Sequence, residues 1–245
     1  MPSAEPTSVG RRLVEPLPTV LVPGLLATAR LYAEQIPELW RLGPVTIADH
    51  TRDGAMDAIA RRILSVAPPR FALVGLSMGG YIAFEILRQA PERVAKVAFL
   101  DTSARADAPE QSAQRRAQME LARRGRIEEV SEQLFPRLVH ARRAHDEPLR
   151  QLLSVMAREV GAEGFIRQQT AIIGRPDSRP SLGAIACPAL VLVGDGDLLT
   201  PPERAEEIAG GIPGSGLVVV PDCGHVSTLE RPRAVTEALV KFLEG

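Results

Sequence analysis

Short apolar runs alternate with longer amphipathic stretches along most of the chain. Residues 19–22, 45–48, 71–74, 94–100, 189–193 and 217–220 are apolar runs of strand length, each bounded by turn-forming or polar residues. Between them, residues 31–42, 56–66, 81–89, 202–209 and 232–243 carry apolar positions at helical spacing. This rhythm predicts a parallel sheet of about six strands flanked by helices, joined by right-handed crossovers. Residues 1–18 hold Pro2, Pro6, Pro16 and Pro18 and little periodicity. They read as a loose lead-in with at most a short edge strand near Leu13-Val14.

The rhythm breaks once. Residues 104–180 contain no strand-like run and are rich in Arg, Glu, Gln and Ala. Apolar residues recur there at helical spacing: Ile127, Val130, Leu134 and Leu138, then Leu149, Leu152, Leu153 and Met156, then Phe165 and Ile166. Three or four amphipathic helices account for the pattern. The expected organisation is an α/β core from residues 1–103 and 181–245, with 104–180 inserted as a helical cap over the carboxyl edge of the sheet.

Composition narrows the partners. The 245 residues carry 29 basic and 30 acidic side chains, so nothing points to nucleic acid or to an anionic membrane. Lys96 and Lys241 are the only lysines, and the many arginines are scattered rather than clustered. Aromatics amount to 4%, which argues against base-stacking platforms and predicts a substrate pocket walled by aliphatic side chains. Cys187 and Cys223 make no disulfide framework, and no zinc-type spacing occurs, so neither metal nor cofactor is expected. With no apolar leader and no run of membrane-spanning length, a soluble cytoplasmic protein is the expectation. The oligomeric state has no signature.

Candidate chemistry begins at Gly75-Leu76-Ser77-Met78-Gly79, which follows the strand at 71–74 and precedes the helix at 81–89. A serine at the tip of a sharp strand-to-helix turn needs neighbours without Cβ bulk, and Gly75, Gly79 and Gly80 supply that room. Its hydroxyl would project from the carboxyl end of the sheet, where open α/β sheets bind ligands. A serine alcohol needs a base to become nucleophilic, and that base needs an orienting group. Of four histidines, His50 precedes Ser77, and His140 and His145 fall in the Arg-rich insertion on helix faces expected to be solvated. His225 follows the last strand, on the same edge as Ser77. For the acid, Asp195 and Asp197 both follow the strand at 189–193, and Asp222 lies three residues before His225. Asp222 suits local loop bonding and Asp195 a turn bonding its own backbone. Thr200 as N-cap and Pro201 as first helical residue leave Asp197 in the intervening loop. Two backbone N–H groups are expected to face a developing oxyanion: Met78, after the serine, and Leu25, in the turn opened by Pro23-Gly24.

With these pieces placed, the sequence resembles the α/β-hydrolases from about residue 19 onward. The resemblance is carried by Gly75 to Gly79, Asp101-Thr102-Ser103, the stretch Gly194 to Pro201, Gly224-His225 and Leu229-Glu230-Arg231-Pro232. It is similar to the branch of small esterases, enol-lactonases and carboxylesterases with a compact helical cap. That likeness implies a triad of Ser77, Asp197 and His225, the aspartate fixed by an Asp-x-x-Thr-Pro pattern, with Leu25 and Met78 as oxyanion donors. It implies hydrolysis of a small apolar carboxylic ester, thioester or lactone through an acyl-serine. Cofactor-free peroxidase, perhydrolase or lyase chemistry on the same residues, or a non-catalytic ligand receptor, are the alternatives. One departure is Pro23-Gly24 where the family usually has His-Gly, so the support of that turn must differ.

Overall fold

The computed structural model describes residues 16–245, so the edge strand expected near Leu13-Val14 lies outside the described residues. Six parallel strands form one sheet: β1 (Thr19–Val22), β2 (Val45–Ile47), β3 (Phe71–Leu76), β4 (Val94–Leu100), β5 (Ala189–Gly194) and β6 (Gly216–Val220). Their spatial order is β2-β1-β3-β4-β5-β6, with every neighbouring pair parallel. The central strands β3 and β5 are apolar and buried throughout because both of their faces are covered. Side chains alternate between the two faces. Val20, Val22, Leu73, Val97, Phe99 and Val191 pack on one side with α2 (Met56–Val66), α3 (Met78–Gln89) and α7 (Pro202–Gly211). Leu21, Val74, Leu76, Leu100, Leu190 and Leu192 pack on the other with α1 (Ile36–Leu42) and α9 (Pro232–Glu244). Each such buried Leu or Val contributes about 1.5–3 kcal/mol. An exposed ion pair such as Arg41–Glu38 contributes about 1 kcal/mol at most, so the two apolar faces hold the fold.

Between β4 and β5 lie α4 (Pro109–Arg123), α5 (Ile127–Leu138) and α6 (Glu147–Ile173). α6 is kinked at Gly161, where φ is 70°. Phe135, Leu149, Leu153 and Met156 join one core face, and Ala171 and Ile172 the other. Leu26, Ala122, Val130, Ala157 and Phe165 form a small cluster of their own. The helices are therefore rooted in the core at both ends. No helix among the described residues is long and apolar enough to cross a membrane.

Two helical segments differ from the reading of the periodicity. The helix expected over 31–42 is a 3₁₀ turn at Ala29–Tyr32 followed by α1, because Pro37 fits only the first turn of a helix. A short helix, α8 (Ser227–Glu230), also occupies the loop between β6 and α9.

Candidate active site

Ser77 sits at the carboxyl end of β3 with φ 56° and ψ −113°, a conformation that costs a non-glycine residue about 1–3 kcal/mol. The neighbouring glycines make that turn possible. A Cβ on Gly75 would lie 2.8 Å from Gly80 N, and one on Gly79 would enter the Val22 carbonyl. A Cβ on Gly80 would lie 2.6 Å from Thr102 Cβ, so the ends of β1 and β4 close in around the turn. Ser77 N–H donates to Leu100 O at 2.9 Å, and Thr102 Oγ1 donates to Ser77 O at 2.7 Å.

The structure brings Ser77, His225 and Asp197 into one hydrogen-bonded line. Ser77 Oγ is 2.8 Å from His225 Nε2, and His225 Nδ1 is 2.8 Å from Asp197 Oδ2. A carboxylate only accepts, so Nδ1 carries the ring proton and Nε2 turns its lone pair toward the serine hydroxyl. Asp197 Oδ1 takes the N–H groups of Leu199 and Thr200 at 2.8 and 2.9 Å, and Oδ2 also takes the Thr200 hydroxyl at 2.7 Å. Thr200 is therefore not an N-cap. α7 begins at Pro202, as the periodicity predicts, but Pro201 rather than Thr200 stands at its N-cap, and the Thr200 hydroxyl goes to the buried carboxylate instead. A charged acceptor outcompetes helix capping.

The remaining carboxylates separate by environment. Asp195 is exposed, and its Oδ1 accepts Cys223 N–H from the facing loop at 3.1 Å. Asp222 pairs with Arg142 at 2.6 Å. Asp101, fully buried at the end of β4, accepts Gly194 N–H at 3.0 Å and the Ser227 hydroxyl at 2.5 Å. Burial, then repulsion from Asp197, push its carboxyl well above the usual carboxylate range. Asp197 is the carboxylate in direct contact with the imidazole, at Nδ1. Burial alone would raise its carboxyl, but His225 and the Leu199–Thr200 donors hold it below the usual range. For His225, burial favours the neutral ring, and the Asp197 charge outweighs it and lifts the imidazole above its ordinary value.

The His225 loop is buttoned to the helical segment above it. Leu138 O accepts the N–H groups of His225 and Val226 at 2.9 and 3.2 Å. Glu230 accepts Gly224 N–H through one oxygen and His140 N–H through the other, both at 2.8 Å. His140, expected on a solvated face, is instead half-buried against Gly196 and Gly224, whereas His145 is exposed.

Leu25 and Met78 flank Ser77. Met78 N–H opens α3 and has no intrahelical acceptor, and Leu25 N–H has no partner among the described residues. The support that the Pro23-Gly24 turn needs comes from two residues that sequence reading missed. His50 Nε2 lies 2.9 Å from Gly24 O, and Gln168 Oε1 accepts Leu26 N–H at 3.2 Å. The Gln168 amide nitrogen lies 3.0 Å from the same ring nitrogen, which can serve Gly24 O with a proton or the amide with its lone pair. Burial pulls the His50 pKa below its ordinary value, so the ring stays neutral. Gln168 is on α6, so the helical segment holds the Leu25 turn as well as the His225 loop.

These parts open onto a cavity of about 550 Å³. With Ser77 and His225 it is lined by Leu25, Leu26, Leu31, Leu138, Leu153 and Val226, aliphatic side chains of the kind that the low aromatic content predicted. Arginine and glutamine side chains also line it, which the scatter of arginines in the sequence did not suggest.

Residues 55–232 match the family described as alpha/beta hydrolase fold. Among solved structures, the chain is similar to a thermophilic esterase from Thermogutta terrifontis in a malate-bound form. The two are 32% identical with a TM-score of 0.84, over 94% of this chain and 90% of that one. It is also similar to the enol-lactonase from Burkholderia xenovorans LB400, at 26% identity and a TM-score of 0.85 over 96% and 94%. A curated relative, the pimeloyl-(acyl-carrier protein) methyl ester esterase of Nitrosomonas europaea, is 26% identical over 81% of this chain and 83% of its own.

Proposed function

Because this chain belongs to the alpha/beta hydrolase fold family, we propose that it is a serine hydrolase of small carboxylic esters, thioesters or lactones. The observation that carries the reading is the line from Ser77 Oγ through the His225 ring to Asp197, with 2.8 Å at each step. Ser77 is the nucleophile. As Oγ attacks the carbonyl carbon, its proton passes to His225 Nε2, and Asp197 steadies the imidazolium that forms. Leu25 and Met78 N–H donate to the oxyanion, and this electrostatic support is the larger part of the barrier lowering. The imidazolium then protonates the leaving group, and water, deprotonated by the same ring, releases the acid from Ser77.

Residues 104–180 act as the cap in this reading. Supporting it are the bonds that α5 and α6 make to the two loops on either side of the serine. The apolar lining near Ser77 suits an aliphatic acyl or ring portion.

A fluorophosphonate probe tests the nucleophile directly. It should add one adduct per chain on the peptide containing Ser77, in step with loss of p-nitrophenyl ester hydrolysis. Labelling that persists in Ser77→Ala would remove this residue from the role. The His50–Gln168 clasp gives a second expectation, for positioning rather than contact. Gln168→Leu leaves Leu26 N–H unpaired and loosens the turn that carries Leu25. A whole oxyanion donor is worth about 10²- to 10³-fold, so partial misplacement should lower kcat by roughly 10- to 100-fold. KM should move little, because the aliphatic wall is untouched. A rise in KM at constant kcat would instead make Gln168 a substrate contact.

A further inference from the structure

We propose that the substrate carries a carboxylate at the end remote from the scissile bond, and that Arg137 and Arg204 bind it. This deepens the ester-hydrolase reading and rests on it for the identity of the bond cleaved. Six arginines line the cavity that holds Ser77 and His225: Arg105, Arg115, Arg137, Arg175, Arg179 and Arg204. Four are already matched. Asp107 takes both Arg115 and Arg175 at 2.7 Å, Arg105 makes a two-pronged pair with Glu207 at 2.8 and 2.9 Å, and Arg179 pairs with Asp177 at 2.5 Å. Three carboxylates thus serve four guanidiniums. Arg137 and Arg204 form no ion pair and no side-chain hydrogen bond among the described residues, and both are half-buried in the cavity wall. The cavity therefore carries an excess of positive charge with two guanidinium forks uncommitted.

Arg137 and Arg204 each lie close in sequence to a residue that bonds His225. Arg137 immediately precedes Leu138, whose carbonyl holds His225 N–H at 2.9 Å. Arg204 stands in the first turn of α7, its N–H on Pro201 O at 2.8 Å, just beyond the Thr200 hydroxyl that lies 3.2 Å from His225 Nδ1. The two come from different elements, the end of α5 and the start of α7, and are 67 positions apart in sequence. Leu134 and Leu138, on the same last turns of α5 as Arg137, add apolar wall beside that fork. The complementary ligand is amphiphilic: an aliphatic stretch next to the ester and a carboxylate at its far end. A guanidinium matches a carboxylate with two parallel N–H donors, which fixes orientation as well as charge. The apolar substrate expected from composition accounts only for the aliphatic part of this lining.

The test compares monoethyl adipate with ethyl hexanoate, of matched chain length, one with and one without the terminal carboxylate. Affinity is read by calorimetry on Ser77→Ala, which holds ester without turnover, and kcat/KM is read on the unsubstituted chain. The anionic ester should bind at least tenfold more tightly at low salt, and 0.5 M NaCl should narrow that ratio. Arg137→Gln combined with Arg204→Gln should bring the ratio to about one, whereas Arg137→Lys with Arg204→Lys keeps part of it. Arg116→Gln, an exposed arginine outside the cavity, controls for net charge and should leave the ratio in place. Equal affinity for the two esters, or a preference that survives the double Gln variant, would overturn the proposal. Failure of the underlying reading looks different: a preference in binding with no turnover of either ester.

Discussion

His225→Ala should lower kcat by roughly 10⁴- to 10⁶-fold, since members of such a constellation act as a unit. Without the ring, Ser77 Oγ keeps its proton, and no other base stands within hydrogen-bond reach of it among the described residues. Residual activity would come from the Leu25 and Met78 donors and from substrate binding alone. The fold should survive, for a reason visible in the partners of the ring. Asp197 keeps the Leu199 and Thr200 N–H groups and the Thr200 hydroxyl, so its carboxylate is not left unpaired. Leu138 O is held through the His225 backbone, which alanine retains. Circular dichroism should therefore be unchanged while steady-state turnover collapses and fluorophosphonate labelling of Ser77 slows. A variant that keeps kcat within about a hundredfold would place the base elsewhere.

What the sequence makes legible here is whatever depends on neighbours in the chain. The glycines around Ser77 announce the turn because the close approaches they permit begin within a few residues of the serine. His225 is recognisable from its position after the last strand. His50 is different. Its place before Ser77 rightly argues against its serving as the base, yet its ring is buried at the Leu25 turn by contacts 26 and 118 residues away. No periodicity encodes such contacts. Glu230 belongs to Leu229-Glu230-Arg231-Pro232, a stretch legible as distinctive, but its task of joining the Gly224 and His140 amides appears only when α5 is laid over the loop. The arginines show the same limit in electrostatic form. Spread from 105 to 204 they look scattered, and only the fold gathers them around one cavity.

Asp197→Asn is expected to cost roughly 10³- to 10⁴-fold in kcat, and the bonds around the carboxylate say why. Oδ1 is fixed by two backbone donors, Leu199 and Thr200 N–H at 2.8 and 2.9 Å. An asparagine must keep its carbonyl oxygen there, since turning the amide would set NH₂ against two N–H groups. Its NH₂ then occupies the Oδ2 position, 2.8 Å from His225 Nδ1. A donor at that place obliges Nδ1 to accept, which moves the ring proton to Nε2, facing Ser77 Oγ. The ring is then in the tautomer that cannot take the serine proton. The pH profile supplies a second, independent readout. His225 must be neutral to act as base, and the Asp197 charge holds its pKa above the ordinary value against burial. Activity of the unsubstituted chain should therefore fall as pH drops through a value above 6.5, the ordinary value for histidine. In Asp197→Asn burial is no longer outweighed by that charge, so the acidic limb should move to lower pH even as the plateau drops. Asp195→Asn, which alters only an exposed carboxylate on the Cys223 amide, should stay within about tenfold and keep the original acidic limb. Measuring kcat against pH for both variants, with circular dichroism alongside, decides the matter. If Asp195→Asn is the inactive one, or if Asp197→Asn leaves the limb where it was, the acid is not Asp197.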